Sequence, residues 1–184
     1  QVVGRMNRGG IETWLMHVLR NIDRDRFVMD FLVDTEVPAD YDDEINSLGA
    51  KIIRCLDPKK PMVYARNFRA AYAEHGPYDI VHSHVQHFGG AIAALANRMG
   101  VPARIVHSHN DTSPKDAAAG YARRAYLRTS RFLIRKYATT GVAVSERAAT
   151  SLFGPDWSSD PRWRVAYCGV DLREFEAAPD PARV

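Results

Sequence analysis

Two tripeptides of identical composition, His82-Ser83-His84 and His107-Ser108-His109, hold most of the reactive side chains in this 184-residue chain. Each closes a short apolar run that reads as a strand, at 78–82 and 103–107. Residues i and i+2 of an extended chain point the same way, so each tripeptide presents two imidazoles on one side of a sheet edge. Adjacent parallel strands bring the two pairs together. Two chemistries suit such a group. Neutral imidazoles bind Zn or Cu, and H-x-H at a strand end serves metal hydrolases. Alternatively, a histidine beside a sugar donates hydrogen bonds to hydroxyls or shields developing positive charge with its dipole. The metal reading calls for a carboxylate or thiolate to complete the site. Asp111 is available, but no other strand end offers a clear ligand, and Cys55 and Cys168 sit elsewhere.

A second cluster follows the first apolar run: Arg5-Met6-Asn7-Arg8-Gly9-Gly10, leading into a helical pattern. Two glycines opening a helix let backbone approach a ligand, and the free N–H groups and positive dipole end suit a phosphate. The same pair also serves a tight turn that needs φ > 0. The loop is not G-x-G-x-x-G, which counts against a dinucleotide fingerprint. A third feature is Arg124, Arg128, Arg131 and Arg135, whose spacing puts them on one helical face. They read either as a solvated face or as a contact for anionic lipid headgroups or an acidic acceptor.

The elements that position these groups follow from hydrophobic periodicity. Apolar runs at 1–4, 27–33, 51–54, 78–82, 103–107, 141–144 and 164–167 read as strands. Helical patterns at 11–22, 41–48, 63–75, 89–99, 117–137 and 146–153 separate them. Strands alternating with helices imply right-handed crossovers and parallel pairing. The expected fold class is α/β: a Rossmann-like, doubly wound, mainly parallel sheet of about seven strands with helices on both faces. In such a sheet, ligands bind at the carboxyl ends of the strands, where the glycines and histidines fall.

Composition narrows the function classes. Hydrophobic content of 46% and charged content of 26% describe a globular chain, and a net charge of +3 is too small to argue for nucleic acid, which is not an expected partner. Two distant cysteines make no disulfide framework, so a reducing, cytoplasmic setting is expected. No run reaches the roughly 18 apolar residues of a membrane span, and no signal peptide is visible. The chain opens on Gln1 inside an apolar run, as though a first strand had lost its start. Residues 176–184 are Ala/Pro-rich and read as a linker.

Taken in order, the motifs resemble one family. Asn7-Arg8-Gly9-Gly10-Ile11-Glu12-Thr13 resembles the GG-x-E loop of family-four glycosyltransferases of GT-B architecture. Asp79-Ile80-Val81-His82-Ser83-His84 resembles their D-hydrophobic-hydrophobic-H-x-H, and Arg104-Ile105-Val106-His107-Ser108-His109-Asn110 the strand that delivers the active-site histidine. Val142-Ala143-Val144-Ser145-Glu146 is similar to the V-S-E helix start. Val165-Ala166-Tyr167-Cys168-Gly169-Val170-Asp171, with Phe175, is similar to the NGVD…F segment, with Cys168 where Asn is common. The closest flavour is that of capsular and exopolysaccharide synthesis in bacteria.

The resemblance implies retaining transfer of a sugar from a nucleotide diphosphate to a glycan or lipid-linked acceptor, without a metal or other cofactor. It implies that residues 1–175 are the acceptor-side domain and 176–184 the start of a linker to a donor-binding domain that this chain does not include. Gly9 and Gly10 would approach the donor diphosphate, and His109 would lie against the transferred sugar as the catalytic residue. Asn7, Arg8, His82, His84, His107, Asn110, Ser145 and Glu146 are candidate substrate-binding residues. The family's E-x7-E belongs to the second domain, so the same spacing at Glu36 and Glu44 is coincidence. The protein is expected in the cytoplasm, and the row Arg124, Arg128, Arg131 and Arg135 stays open between a solvated face and a contact with the inner face of the membrane. The fragment alone is expected to be inactive. The rivals are a metal-dependent hydrolase built on the two H-S-H pairs and a non-catalytic module that binds carbohydrate or a partner.

Overall fold

Six strands and seven α-helices form within residues 1–169 and 172, the part of the chain that this computed structural model describes. They run α1 (Gly10–Asn21), β1 (Phe31–Val33), α2 (Asp42–Ser47), β2 (Ile52–Arg54), α3 (Pro61–His75), β3 (Ile80–Ser83), α4 (Gly89–Arg98), β4 (Ala103–Ser108), α5 (Ser113–Ala117), α6 (Tyr121–Tyr137), β5 (Thr140–Ala143), α7 (Glu146–Phe153) and β6 (Trp163–Val165). Every pairing between them is parallel: β1 with β2, and β3, β4, β5 and β6 in that order.

Residues 1–4 stitch the two sets together. Val2 bridges Leu32 on one side and Ser83 on the other. Its N–H donates to His82 O at 2.8 Å, and the N–H of Val3 donates to Leu32 O at 3.0 Å. The spatial order is therefore β2, β1, residues 1–4, β3, β4, β5, β6. That is a doubly wound arrangement, with the direction of winding reversing between residues 1–4 and β3. The expected count of about seven strands becomes six. Residues 1–4 make a single bridge on each side before the chain turns into the glycine loop, too little for a ladder of their own. The run at 27–33 shortens to Phe31–Val33 because its partner β2 is only three residues long.

The helices divide between the two faces by the sheet's alternation. Val81, Ser83, Val106, Gly141 and Ala143 fall in one register set. Val81 packs with Tyr64 and Phe68 of α3 and Ile92 and Ala96 of α4. Val106 and Ala143 pack with Ile134 of α6 and with Ala148, Ala149, Leu152 and Phe153 of α7. On the other side, Leu15, Met16 and Leu19 of α1 and Ile45 of α2 enclose Phe31 and Val33. Side chains such as Phe31, Leu152 and Phe153, all 0–1% exposed, each stabilise the fold by roughly 1.5–3 kcal/mol. Gly90 lets α4 lie against α6, since a Cβ there would stand 2.6 Å from the Ser130 carbonyl oxygen. No helix among the described residues is long and apolar enough to cross a membrane. Val170, Asp171, Phe175 and the expected linker at 176–184 lie outside the described residues.

Candidate functional site

At the point where winding reverses, the glycine loop leaves residues 1–4 and His82-Ser83-His84 closes β3, so two of the three chemical clusters flank the same crevice. The third joins them through the β3–β4 ladder, whose register is His82 with Ile105 and Ser83 with Val106. His82, His84, Ile105, His107 and His109 therefore share a face, opposite to that of Ser83 and Val106. The four imidazoles do meet. His82 Nε2 lies 3.2 Å from His107 Nδ1, and His84 Nδ1 lies 2.9 Å from His109 Nε2. The His82 and His107 rings are stacked, 8° from parallel. His84 Nε2 sits 2.9 Å from Gln1 Oε1, an oxygen that only accepts, so this nitrogen carries a proton and Nδ1 accepts from His109.

Trp14 of α1 closes one side of the cluster. Its ring centroid is 5.5 Å from His107, 6.0 Å from His109 and 6.2 Å from His84. Periodicity alone makes Trp14 one residue of the helical pattern at 11–22. Its role as a wall of the histidine cluster depends on the crossover that lays α1 over the carboxyl edge. His84 and His107 are buried, and His82 and His109 are half-buried. Burial, joined by the neighbouring His107, drives the His82 pKa well below the ordinary imidazole value, and burial with the neighbouring His82 does the same for His84. Burial brings His107 down to about 3, with His109 adding to it, and brings His109 down to about 4. The cluster is therefore neutral at physiological pH, a set of dipoles and lone pairs rather than a cationic patch.

The glycine loop has a different design. Gly9 caps α1 in extended conformation, φ −115° and ψ 171°, and no side chain caps the helix. Neither Gly9 nor Gly10 has positive φ. The turn requirement considered for the pair is thus absent, and the remaining reason for glycine is space. Nothing lies within 4 Å of where a Gly10 Cβ would stand, and Gly9 is approached by the flexible Glu12 carboxylate. Asn7 is half-buried and its carbonyl accepts from Gly9 N–H, while exposed Arg8 donates its backbone N–H to Asp40 at 3.0 Å.

The remaining candidates scatter along the same edge. Asn110 is exposed, and its carbonyl accepts from Gln86 Nε2. Ser145 is the N-cap of α7: its Oγ accepts from the Ala148 N–H at 3.2 Å. Glu146 opens that helix and is exposed. Glu44 forms an ion pair with Arg20 at 2.7 Å, a structural use that agrees with reading its spacing from Glu36 as coincidence. The arginine row is not the single free face its spacing suggested. Arg131 donates to the Ser151 carbonyl, and Arg135 reaches Asp156 and the Phe153 carbonyl, because the α7 end of the fold lies beside them. The outward face of α6 is instead Tyr121, Arg128, Phe132 and Lys136, with Tyr121 90% and Phe132 59% exposed.

One polar group escaped the sequence. His87 Nε2 lies 3.0 Å from Asp116 Oδ2, which also accepts from Thr112 Oγ1, while Asp116 Oδ1 accepts from Arg123. These bonds order α5, a helix absent from the expected patterns. Burial holds the His87 pKa low despite Asp116, and the donors from Thr112, Arg123 and His87 outweigh burial to hold Asp116 low. A cavity of about 660 Å³ lies away from this edge. It opens toward the amino ends of the strands, along Phe27, Tyr72, Tyr78 and Ile80, and meets the histidines only at His82.

Known proteins resemble this chain in sequence and in fold. Residues 9–174 match the family described as the glycosyl transferase 4-like domain. A putative glycosyltransferase of Bacillus subtilis, EpsF, is 38% identical over 176 residues, which is 95% of this chain and 45% of that protein. The capsular polysaccharide biosynthesis glycosyltransferase CapH of Staphylococcus aureus is 28% identical, over 82% of this chain and 41% of its own. The chain thus spans less than half the length of these relatives. In fold it is similar to Anabaena HepE in complex with UDP-glucose, with a TM-score of 0.67, 17% identity and coverage of 97% of this chain and 45% of that one. A complex of HepE with UDP gives a TM-score of 0.65 with 97% and 46% coverage. From the glycine loop to the last strand, this chain belongs to the glycosyl transferase 4-like domain family.

Proposed function

We propose that this chain is the acceptor-side half of a retaining glycosyltransferase that moves a sugar from a nucleotide diphosphate to a glycan or lipid-linked acceptor. The observation that carries the reading is the crevice at the winding reversal, which has a glycine helix start with open space at Gly10 on one side and neutral imidazoles on the other. The bared N–H groups of α1 suit a diphosphate and stabilise the charge that builds on it as the glycosidic bond breaks. His109, neutral and half-buried, is suited to lie against the transferred sugar as a polar neighbour. His82, His84 and His107 hold it in place and line the acceptor side, with Asn7, Arg8 and Asn110 at the rim. Ser145 acts through the α7 cap, and Glu146 lies near the cleft.

Residues 176–184 begin the connection to a donor-binding domain, whose closure over this edge brings donor and acceptor together. The 38% identity to EpsF and the family match favour transfer over the hydrolase and the non-catalytic module. The transfer itself calls for no metal or cofactor. The outward face of α6, aromatic and basic at once, suits the anionic inner surface of a membrane, which would put a lipid-linked acceptor within reach.

The test is a sugar-nucleotide transfer assay on the full-length protein and its His109→Ala form. A loss of roughly a hundredfold or more in kcat is expected if His109 meets the transition state. Undiminished turnover would take His109 out of the active centre.

A further inference from the structure

The four-histidine cluster has a second capacity that sugar transfer does not use. One ligand nitrogen from each of His82, His84 and His107 lies within 4.8 Å of the other two. The His82 Nε2 to His107 Nδ1 separation of 3.2 Å is close to the roughly 3.3 Å between neighbouring ligand nitrogens around a tetrahedral Zn²⁺, given Zn–N bonds of about 2.0–2.1 Å. Two imidazole nitrogens that close must share either a proton or a cation. The fourth ring, His109, stands beside this trio, its Nε2 2.9 Å from His84 Nδ1.

Two further observations support a built site rather than a chance grouping. The contact of His84 Nε2 with Gln1 Oε1 is of the kind that orients a metal-bound imidazole, leaving Nδ1 to face the cluster. Trp14 stands against three of the four rings and keeps water from their outer side.

We propose that His82, His84 and His107, with His109 as the fourth neighbour, form a site for a divalent transition-metal ion of the Zn²⁺ class. An all-imidazole donor set selects Zn²⁺, Cu²⁺ and Ni²⁺ over Mg²⁺ and Ca²⁺, which need oxygen ligands. The site is regulatory rather than catalytic: a bound ion engages His84, whose Nδ1 lies 2.9 Å from His109 Nε2, while the proposed transfer uses no metal. Metal binding itself does not depend on the transferase reading, so it is tested by direct binding.

Co²⁺ and Zn²⁺ are titrated separately into the metal-free full-length protein at neutral pH, and into its His82→Gln and His107→Gln forms. Wild type is expected to take up one Co²⁺ with the intense visible bands of tetrahedral coordination, displaced by Zn²⁺ and untouched by Mg²⁺. Each variant is expected to lose about tenfold or more in affinity together with those bands. His82 is half-buried, so His82→Gln retains the fold even where His107→Gln does not. Circular dichroism of both forms verifies this. Equal titration of wild type and a folded His82→Gln form, or a Co²⁺ spectrum with only weak octahedral bands, overturns the proposal.

Discussion

A glycine that no dihedral angle demands is more informative than one in a strained turn. Gly10 begins α1 in an ordinary conformation, with open space where a side chain would stand. Alanine in its place leaves the fold intact and favours the helix, by up to about 1 kcal/mol on intrinsic propensity. If the space belongs to a diphosphate, Gly10→Ala should keep or raise the unfolding midpoint while weakening nucleotide-sugar use by roughly tenfold or more in kcat/KM. Thermal unfolding and steady-state kinetics on the same preparation separate the two effects, and unchanged kinetics would return Gly10 to a purely structural role. Gly9 is less clean for this purpose, because a Cβ there first meets the Glu12 carboxylate.

At the scale of elements, α6 carries the clearest test. Its inward residues Leu127, Ser130 and Ile134 are buried, and Arg131 and Arg135 hold the end of α7. Among the described residues, Tyr121, Arg128, Phe132 and Lys136 make no such attachment, and Lys136 Nζ rests 5.7 Å from the Phe132 ring centroid. Replacing Arg128 and Phe132 with serine should therefore leave stability close to wild type and abolish co-sedimentation with anionic vesicles at low salt. Binding that survives in the variant, or no binding by wild type, ends the membrane proposal.

The same helix marks the limit of what sequence discloses. Spacing placed four arginines on one face, but it could not say that α7 would lie beside two of them. The alternation of apolar runs and helical periods disclosed the α/β class, because each strand buries its residues by a local rule. The H-S-H pairs were legible as neighbours for the same reason, since parallel pairing of consecutive strands fixes which residues share a face. Trp14 and the His87–Asp116 contact were not legible. Both depend on where a crossover lands, which is set by packing across the sheet and not by any local pattern.

At the scale of the whole molecule, the buried imidazoles tie stability to pH. In the unfolded chain each takes up a proton near 6.5, whereas in the folded chain His109 refuses it until about 4 and His107 until about 3. Between those values the unfolded state binds more protons, so stability is fully present above about pH 6.5 and falls as pH drops toward 4. Urea unfolding across that range should show a declining midpoint in wild type and a flatter one in His109→Gln. A wild-type midpoint that holds level down to pH 4 would mean that the folded imidazoles take up protons as readily as the unfolded ones.

The segment at residues 1–4 carries a consequence for how the molecule is made. It pairs with Leu32 and with Ser83, so the centre of the sheet joins the chain to itself across about thirty and about eighty residues. Such long closures are slow, because their entropy is lost before any contact repays it. His84 donates its backbone N–H to Val2, so the histidine edge is completed by the same closure. The β1–β2 half and the β3–β6 half can each gather locally, yet neither contains the crevice. The working edge comes into being only when the two halves zip along that one segment, so reaching the native topology and acquiring the site are a single kinetic event.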